Sequence, residues 1–184
     1  MSLLVLAYPE LGRQDHDRIQ EFRREHDGIF YEVVAPHFPL VFAVTGWTEA
    51  DFIAEAAARA KGVAAFDVRL RSAVVIKDAL SDYFHVILVP DEGFGRLVRL
   101  HDRLYADRLF PHRRLDIGFI PRLGVANSTD PLQCAGWAAE WNAGDFAIQG
   151  RIAALDVVRR LDGRVQPLER IPLSTDAPEP SVPA

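Results

Sequence analysis

A single cysteine, Cys134, leaves the 184-residue chain without an internal disulfide or a multi-cysteine zinc site. Excess positive charge is missing as well: 21 Lys and Arg stand against 26 Asp and Glu, a formal charge of -5 with a pI near 5.7. A protein that wraps duplex DNA by bulk electrostatics needs the opposite, a broad basic surface that releases counterions, so the composition argues against that class and leaves room only for a local basic cleft. Long apolar runs are also absent. The opening "MSLLVLAYPELG" has a short apolar run with no preceding positive charges, which reads as a first strand and not as a signal peptide or a membrane span. Nothing demands an oxidising compartment. The expectation is a cytoplasmic protein that needs no membrane, metal or cofactor.

What is present is enough apolar material, 49% of residues, to close an ordinary globular core. After a strand over Leu3 to Tyr8, "DHDRIQEFRREHD" predicts an amphipathic helix with Ile19 and Phe22 on its buried stripe. In "PHFPLVFAV" alternation puts Phe38, Leu40, Phe42 and Val44 on the core face, and His37, Pro39, Val41 and Ala43 on the open one. Thr48 to Lys61 predicts a helix capped by Thr48 and stopped by Gly62, and "AFDVRLRSAVVI" and "YFHVILVP" predict two strands. The second half repeats the theme: an Arg/Leu helix from Gly95, a strand "IGFIPRLGVA", a helix capped by Asp130 with Pro131 at its first position, and a closing hairpin over "RIAALDVVRRLDGRVQPLERI" that turns at Asp162-Gly163. His16, His26 and His101 read as surface helix residues, and His112 falls in a basic loop with Arg108, Arg113 and Arg114. Residues 1–173 are expected to form one bilobal unit, and the Pro-rich residues 174–184 a disordered tail.

The two halves echo one another at "PHFPLVFAV" and "PRLGVA": proline, a basic residue, an apolar residue, then a residue without a long side chain. Alternation places Arg122, Gly124 and Ala126 on one face, as it does His37 and Pro39 in the first half. This pattern resembles the two-histidine (2H) phosphoesterase superfamily, the 2'-5' RNA ligase and cyclic phosphodiesterase branch. Its signature is a histidine, any residue, then threonine or serine leading into an apolar strand, once per lobe. The resemblance runs from Leu3 to Leu173 and takes in "YPEL", "APHFPLVF", "FHVILVPDEG" with "LHDRLY", "FIPRLGVANS" and "LDVVRRLDGRVQPLERIPL".

The resemblance implies an α+β fold of two pseudo-symmetric lobes of antiparallel sheet, with outer helices and a cleft between the lobes. It also implies metal-independent acid-base chemistry at 2'-5' or 2',3'-cyclic phosphodiesters of RNA or nucleotides. His37 matches the first signature histidine, whereas Arg122 stands in place of the second histidine, and Pro39 and Gly124 in place of the two hydroxyl residues. Arginine stays protonated and so holds phosphate without exchanging protons. The implied site is therefore His37 as acid or base and Arg122 as phosphate holder, with activity weakened or lost. His85 is a secondary catalytic candidate, and Tyr83, on the same strand face, a secondary phosphate contact. Two readings from other classes stay open: a non-catalytic module that binds a nucleotide or an RNA end, and an interaction scaffold.

Overall fold

Local chemistry sets the element boundaries in the computed structural model, which describes residues 1–175. In chain order these are β1 (Ser2–Ala7), β2 (Glu10–Leu11), α1 (Arg13–His26), β3 (Phe38–Val44), α2 (Glu49–Ala60), β4 (Phe66–Lys77) and β5 (Phe84–Glu92). Then follow α3 (Phe94–Leu104), a 3-10 turn (Asp107–His112), β6 (Leu123–Ser128), α4 (Pro131–Asn142), β7 (Ile148–Ile152), β8 (Ala154–Leu161) and β9 (Arg164–Pro172). As expected, Thr48 Oγ1 accepts the Asp51 N–H at 3.1 Å to start α2, and Asp130 Oδ1 accepts from Leu132 N at 2.9 Å to start α4. Gly62, at φ +76°, takes the left-handed conformation that ends α2.

The strands form two antiparallel sheets, one in the order β3-β1-β8-β9 and the other β2-β7-β4-β5-β6. Helices α2 and α3 pack on the first sheet, and α4 covers the β4-β5-β6 side of the second. Helix α1 packs against β6. The faces left uncovered by α2 and α4 are the walls of the cleft, so the α+β, two-lobed architecture is the one the resemblance implies. Among the described residues no helix is long and apolar enough to cross a membrane.

Three features depart from simple alternation. The closing hairpin does turn at Asp162 and Gly163, both with positive φ, but its first arm is two strands: β7 pairs with β4, and β8 with β1. The chain changes sheets at Ala153, whose carbonyl accepts from Leu173 N at 2.9 Å. In β3 the register against β1 slips, with Val5 opposite Val41 and Leu6 opposite Pro39, so Leu40 and Val41 both enter the core. Val41 is thus on the core side, contrary to expectation. In β6 the register against β5 slips as well, with Ile87 opposite Gly124 and Val86 opposite Ala126. Val125 and Ala126 both join the core, and Asn127, opposite His85, takes the cleft-side position expected of Ala126. Beyond β9, Ser174 N and Oγ both bond to Val63 O, and residues 176–184 of the expected tail lie outside the described residues.

Both β3 and β6 are edge strands, and an edge exposes unpaired backbone groups. Helix α3 satisfies part of the β3 edge. The His101 ring donates through Nδ1 to Leu40 O at 2.8 Å, and the Tyr105 hydroxyl at the end of α3 accepts from Phe42 N at 2.9 Å. His101 is therefore no surface residue: it is 3% exposed, and its ring lies flat on Phe119 at 3.7 Å. Replacing Tyr105 by Phe removes the acceptor but keeps the ring, leaving the Phe42 N–H unpaired. The expected loss is about 1 to 2 kcal/mol of unfolding free energy, with an unchanged urea m-value. Equal midpoints for Tyr105→Phe and the parent chain in urea would show that this edge needs no cap.

Candidate functional site

His37 sits one residue before β3, after Pro36, at the point where alternation and the Leu6–Pro39 pairing turn its side chain toward the cleft. Its Nδ1 lies 2.8 Å from Ala35 O. A carbonyl only accepts, so Nδ1 carries the hydrogen and Nε2 holds a lone pair. Burial lowers the His37 pKa to about 4; the Ala35 bond works against this, the Arg23 and Arg122 charges add to it, and Asp27 opposes it. At pH 7 the imidazole is therefore neutral. The Tyr8 ring, which follows β1, stands 6.0 Å from the imidazole.

Arg122 enters from the other lobe, one residue before β6. Its guanidinium lies over the Phe42 ring of β3, 5.7 Å from the centroid, and Nη1 donates to Ile120 O at 3.3 Å. The register slip in β3 makes this contact available, because it takes Phe42 out of the core-facing row where alternation had put it. Burial pulls the Arg122 pKa down and the Asp78 carboxylate partly restores it, yet a guanidinium remains charged at any physiological pH. Gly124 is exposed on the cleft side, and a Cβ built there meets no atom within 4 Å. Pro39 and Gly124 supply no side-chain donor.

His85 shares the cleft face of β5 with Ile87 and is opposite Asn127. Its Nε2 donates to Asp78 Oδ2 at 3.1 Å. Burial pushes the Asp78 carboxyl up, but the Leu80 N–H, at 2.7 Å, and the His85 and Ser81 bonds outweigh it and hold the pKa below the usual carboxylate value. Tyr83 lies in the loop before β5, half-buried, with its carbonyl accepting from Asp78 N at 2.9 Å. His112 accepts from Trp47 Nε1 at 3.0 Å.

Two groups near the site escape a reading by motif. The first is Asp156 on β8, directly opposite Leu6 and so on the cleft face. Burial raises its pKa against the pull of Arg170 at 3.1 Å, and burial followed by the Asp156 charge pushes Tyr8 up to about 12. The second is the buried trio Arg23, Asp27 and Asn127, in which Asn127 Nδ2 donates to Asp27 Oδ1 and Arg23 Nε to Asp27 Oδ2 at 2.9 Å. Arg23 and Asp27 are four apart, the spacing of any surface helix pair, and only burial distinguishes them. The arrangement sets a fixed positive charge at Arg122 and an unprotonated Nε2 at His37 on the cleft side. Among the described residues no group of three or more His, Cys, Asp or Glu side chains is disposed to hold a metal.

Two antiparallel lobes that each deliver a basic side chain at the start of an edge strand, facing a shared cleft, define a two-lobed phosphoesterase architecture. The family model described as the 2'-5' RNA ligase superfamily matches residues 9–164, and the chain belongs to that superfamily. Among solved structures, Escherichia coli LigT complexed with NADP+ superposes with a TM-score of 0.61 at 16% identity, covering 95% of this chain and 98% of that one. TT0787 of Thermus thermophilus gives 0.61 at 18% identity over 94% and 98%, and Kluyveromyces marxianus Usb1 gives 0.57 at 11% over the same shares. At these identities the likeness is one of fold. No sequence among curated proteins matches the chain.

The tautomer and protonation of His37 are directly measurable. NMR titration of the ring nitrogens should show Nδ1–H with a bare Nε2 and a midpoint about 4, below the ordinary value of 6.5. Because the unfolded chain protonates this ring at higher pH than the folded one, the folded state takes no proton between pH 6.5 and about 4 while the unfolded state does. Stability contributed by neutral His37 is therefore complete above 6.5 and lost as pH falls through that window; His101, also lowered by burial, acts in the same direction. A His37 midpoint at or above 6.5 would contradict the placement of this ring.

Proposed function

We propose that the cleft binds 2'-5' or 2',3'-cyclic phosphodiester groups of nucleotides or RNA ends, in the cytoplasm and without a metal, and turns them over weakly or not at all. Superfamily membership supports the phosphodiester chemistry. Nucleotide-sized ligands are supported by solved relatives of the same fold, LigT complexed with 3'-AMP or ATP and Usb1 with uridine monophosphate. The observation that carries the weakened activity is Arg122, half-buried, near enough for its charge to act on His37, and permanently protonated.

Hydrolysis of a cyclic phosphate needs two proton transfers. Water gives a proton to a base as its oxygen bonds to phosphorus, and the departing ribose oxygen takes one as its bond to phosphorus breaks. His37 Nε2, bare at neutral pH, can be the base. Arg122 cannot be the acid, but its fork binds the phosphate oxygens through charge-assisted bonds worth about 1.5 to 3 kcal/mol. The hydroxyls missing at Pro39 and Gly124 remove two further contacts to the same oxygens.

One observation favours a second reading, in which turnover survives. The Asp78 carboxylate holds His85 Nε2 at 3.1 Å, the way an orienting carboxylate holds a proton-transferring imidazole. A proton on Nδ1 of that ring would serve the leaving oxygen.

The test uses a short RNA ending in a 2',3'-cyclic phosphate, with binding and hydrolysis measured together. Binding is expected, weakened about tenfold or more in Arg122→Ala, the loss matching the bonds removed. Hydrolysis is expected to be slight in the parent chain and to rise about a hundredfold in Arg122→His/Gly124→Ser, which restores a titratable group and a hydroxyl where the backbone leaves room. Strong parent hydrolysis that vanishes in His85→Ala would replace this reading with the second, and absence of both binding and turnover would leave the cleft an interaction surface.

A further inference from the structure

The loop that delivers His37, residues 27–36, is a run of turns with no strand or helix of its own. It must nevertheless set an imidazole to within a few tenths of an ångström for any acid-base or phosphate contact to form. Arg23, on the last turns of α1, reaches into this loop with its side chain 2% exposed. Nη2 donates to Val34 O at 2.8 Å and to Phe30 O at 3.1 Å, Nε donates to Asp27 Oδ2, and Nη1 donates to Gln20 Oε1 at 3.0 Å. Asp27 completes the frame: Oδ1 accepts from Phe30 N at 3.1 Å and from Asn127 Nδ2 on β6.

The Val34 carbonyl pinned by Arg23 lies one peptide before the Ala35 carbonyl that receives His37 Nδ1. Between Ala35 and His37 stands Pro36, whose ring fixes φ, so little slack separates the anchored peptide from the imidazole. At the other end of the frame, Asn127 belongs to the strand that starts beside Arg122.

We infer that Arg23 and Asp27 are positioning residues for this cleft: the buried pair locks the 27–36 loop to β6 and so fixes the His37 imidazole relative to Arg122. The inference rests on the proposed function only in taking His37 as a site residue. Stability alone does not call for such a pair, because apolar side chains of like volume commonly replace a buried ion pair without loss. What an apolar pair lacks is directional contact with two loop carbonyls and a sheet amide, together with two charges that reach the imidazole. The groups that act on His37 come from three sides: Arg23 from α1 with Asp27 just after it, Arg122 ahead of β6, and the Tyr8 ring after β1.

The experiment follows the His37 ring nitrogens by NMR in the parent chain, Arg23→Gln, Asp27→Asn, Asn127→Ala and the conservative Arg23→Lys, with binding of 2',3'-cyclic AMP measured alongside. Arg23→Gln should raise the His37 midpoint and Asp27→Asn lower it, each by about half a unit or more, since their charges act on the ring in opposite senses. Arg23→Lys should leave the midpoint nearer the parent value while losing the fork, so the Nδ1–H tautomer becomes mixed. Asn127→Ala strands no buried charge and should mix the tautomers too, which decides the matter if Arg23→Gln does not fold. A single tautomer and an unmoved midpoint across the folded variants would overturn the positioning role. If the parent chain fails to bind 2',3'-cyclic AMP while the ring nitrogens respond as described, the proposed function falls and the positioning role stands.

Discussion

Asp27 is the point at which helix α1, the loop to His37 and strand β6 are held together. Its two oxygens accept from Arg23, from the Phe30 N–H and from Asn127, at 3% exposure. Burying a carboxylate costs several kcal/mol unless its lone pairs are filled, and these donors offset that cost. The consequence reaches across the molecule. The two sheets share no ladder, and this carboxylate joins the loop that leads into one of them to the edge strand of the other. A cleft whose walls move independently cannot present a base and an anion holder at a constant separation.

Two register slips give that cleft its lining. Regular alternation along β6 would leave Ala126 facing the cleft and drop Asn127 into the core, where an unmatched amide is costly. The slip after Gly124 reverses the assignment and brings Asn127 to Asp27. In β3 the slip at Leu40 and Val41 removes Phe42 from the core-facing row and offers its ring to Arg122. Each bulge converts a residue that alternation assigns to one face into a partner on the other, and each does so a few residues from a basic side chain of the site.

This is also where the sequence stops being legible. Helix caps at Thr48 and Asp130, the stop at Gly62 and the turn at Asp162-Gly163 could be read directly, because each is decided by one or two neighbouring residues. The echo between "PHFPL" and "PRLGV" was enough to expect paired lobes and a shared cleft. Bulges carry no such local mark: nothing in "LGVAN" distinguishes a regular strand from one that slips after Gly124, since the slip depends on what β5 and α1 present opposite it. His101 escapes a local reading for a related reason. Its sequence neighbours are charged, but its ring is claimed by the Leu40 carbonyl, sixty-one positions away, and by Phe119. Arg23 and Asp27 show the usual spacing of a solvated helix pair, and only the tertiary fold turns that spacing into a buried frame.

The charge states of the two basic groups are what the proposed function rests on. Under the proposed function, a neutral imidazole and a fixed guanidinium would divide between them two tasks that a pair of histidines would share, proton exchange on one side and anion retention on the other. They also act on one another, for Arg122 helps to hold His37 unprotonated. A phosphate that arrives at Arg122 brings negative charge to the same space, cancels part of that repulsion and favours a proton on His37. Ligand and proton are thereby coupled in their binding. A cleft of this kind would grip an anion more firmly as it acquired the proton, while a guanidinium at Arg122 has no second proton to pass to a leaving oxygen.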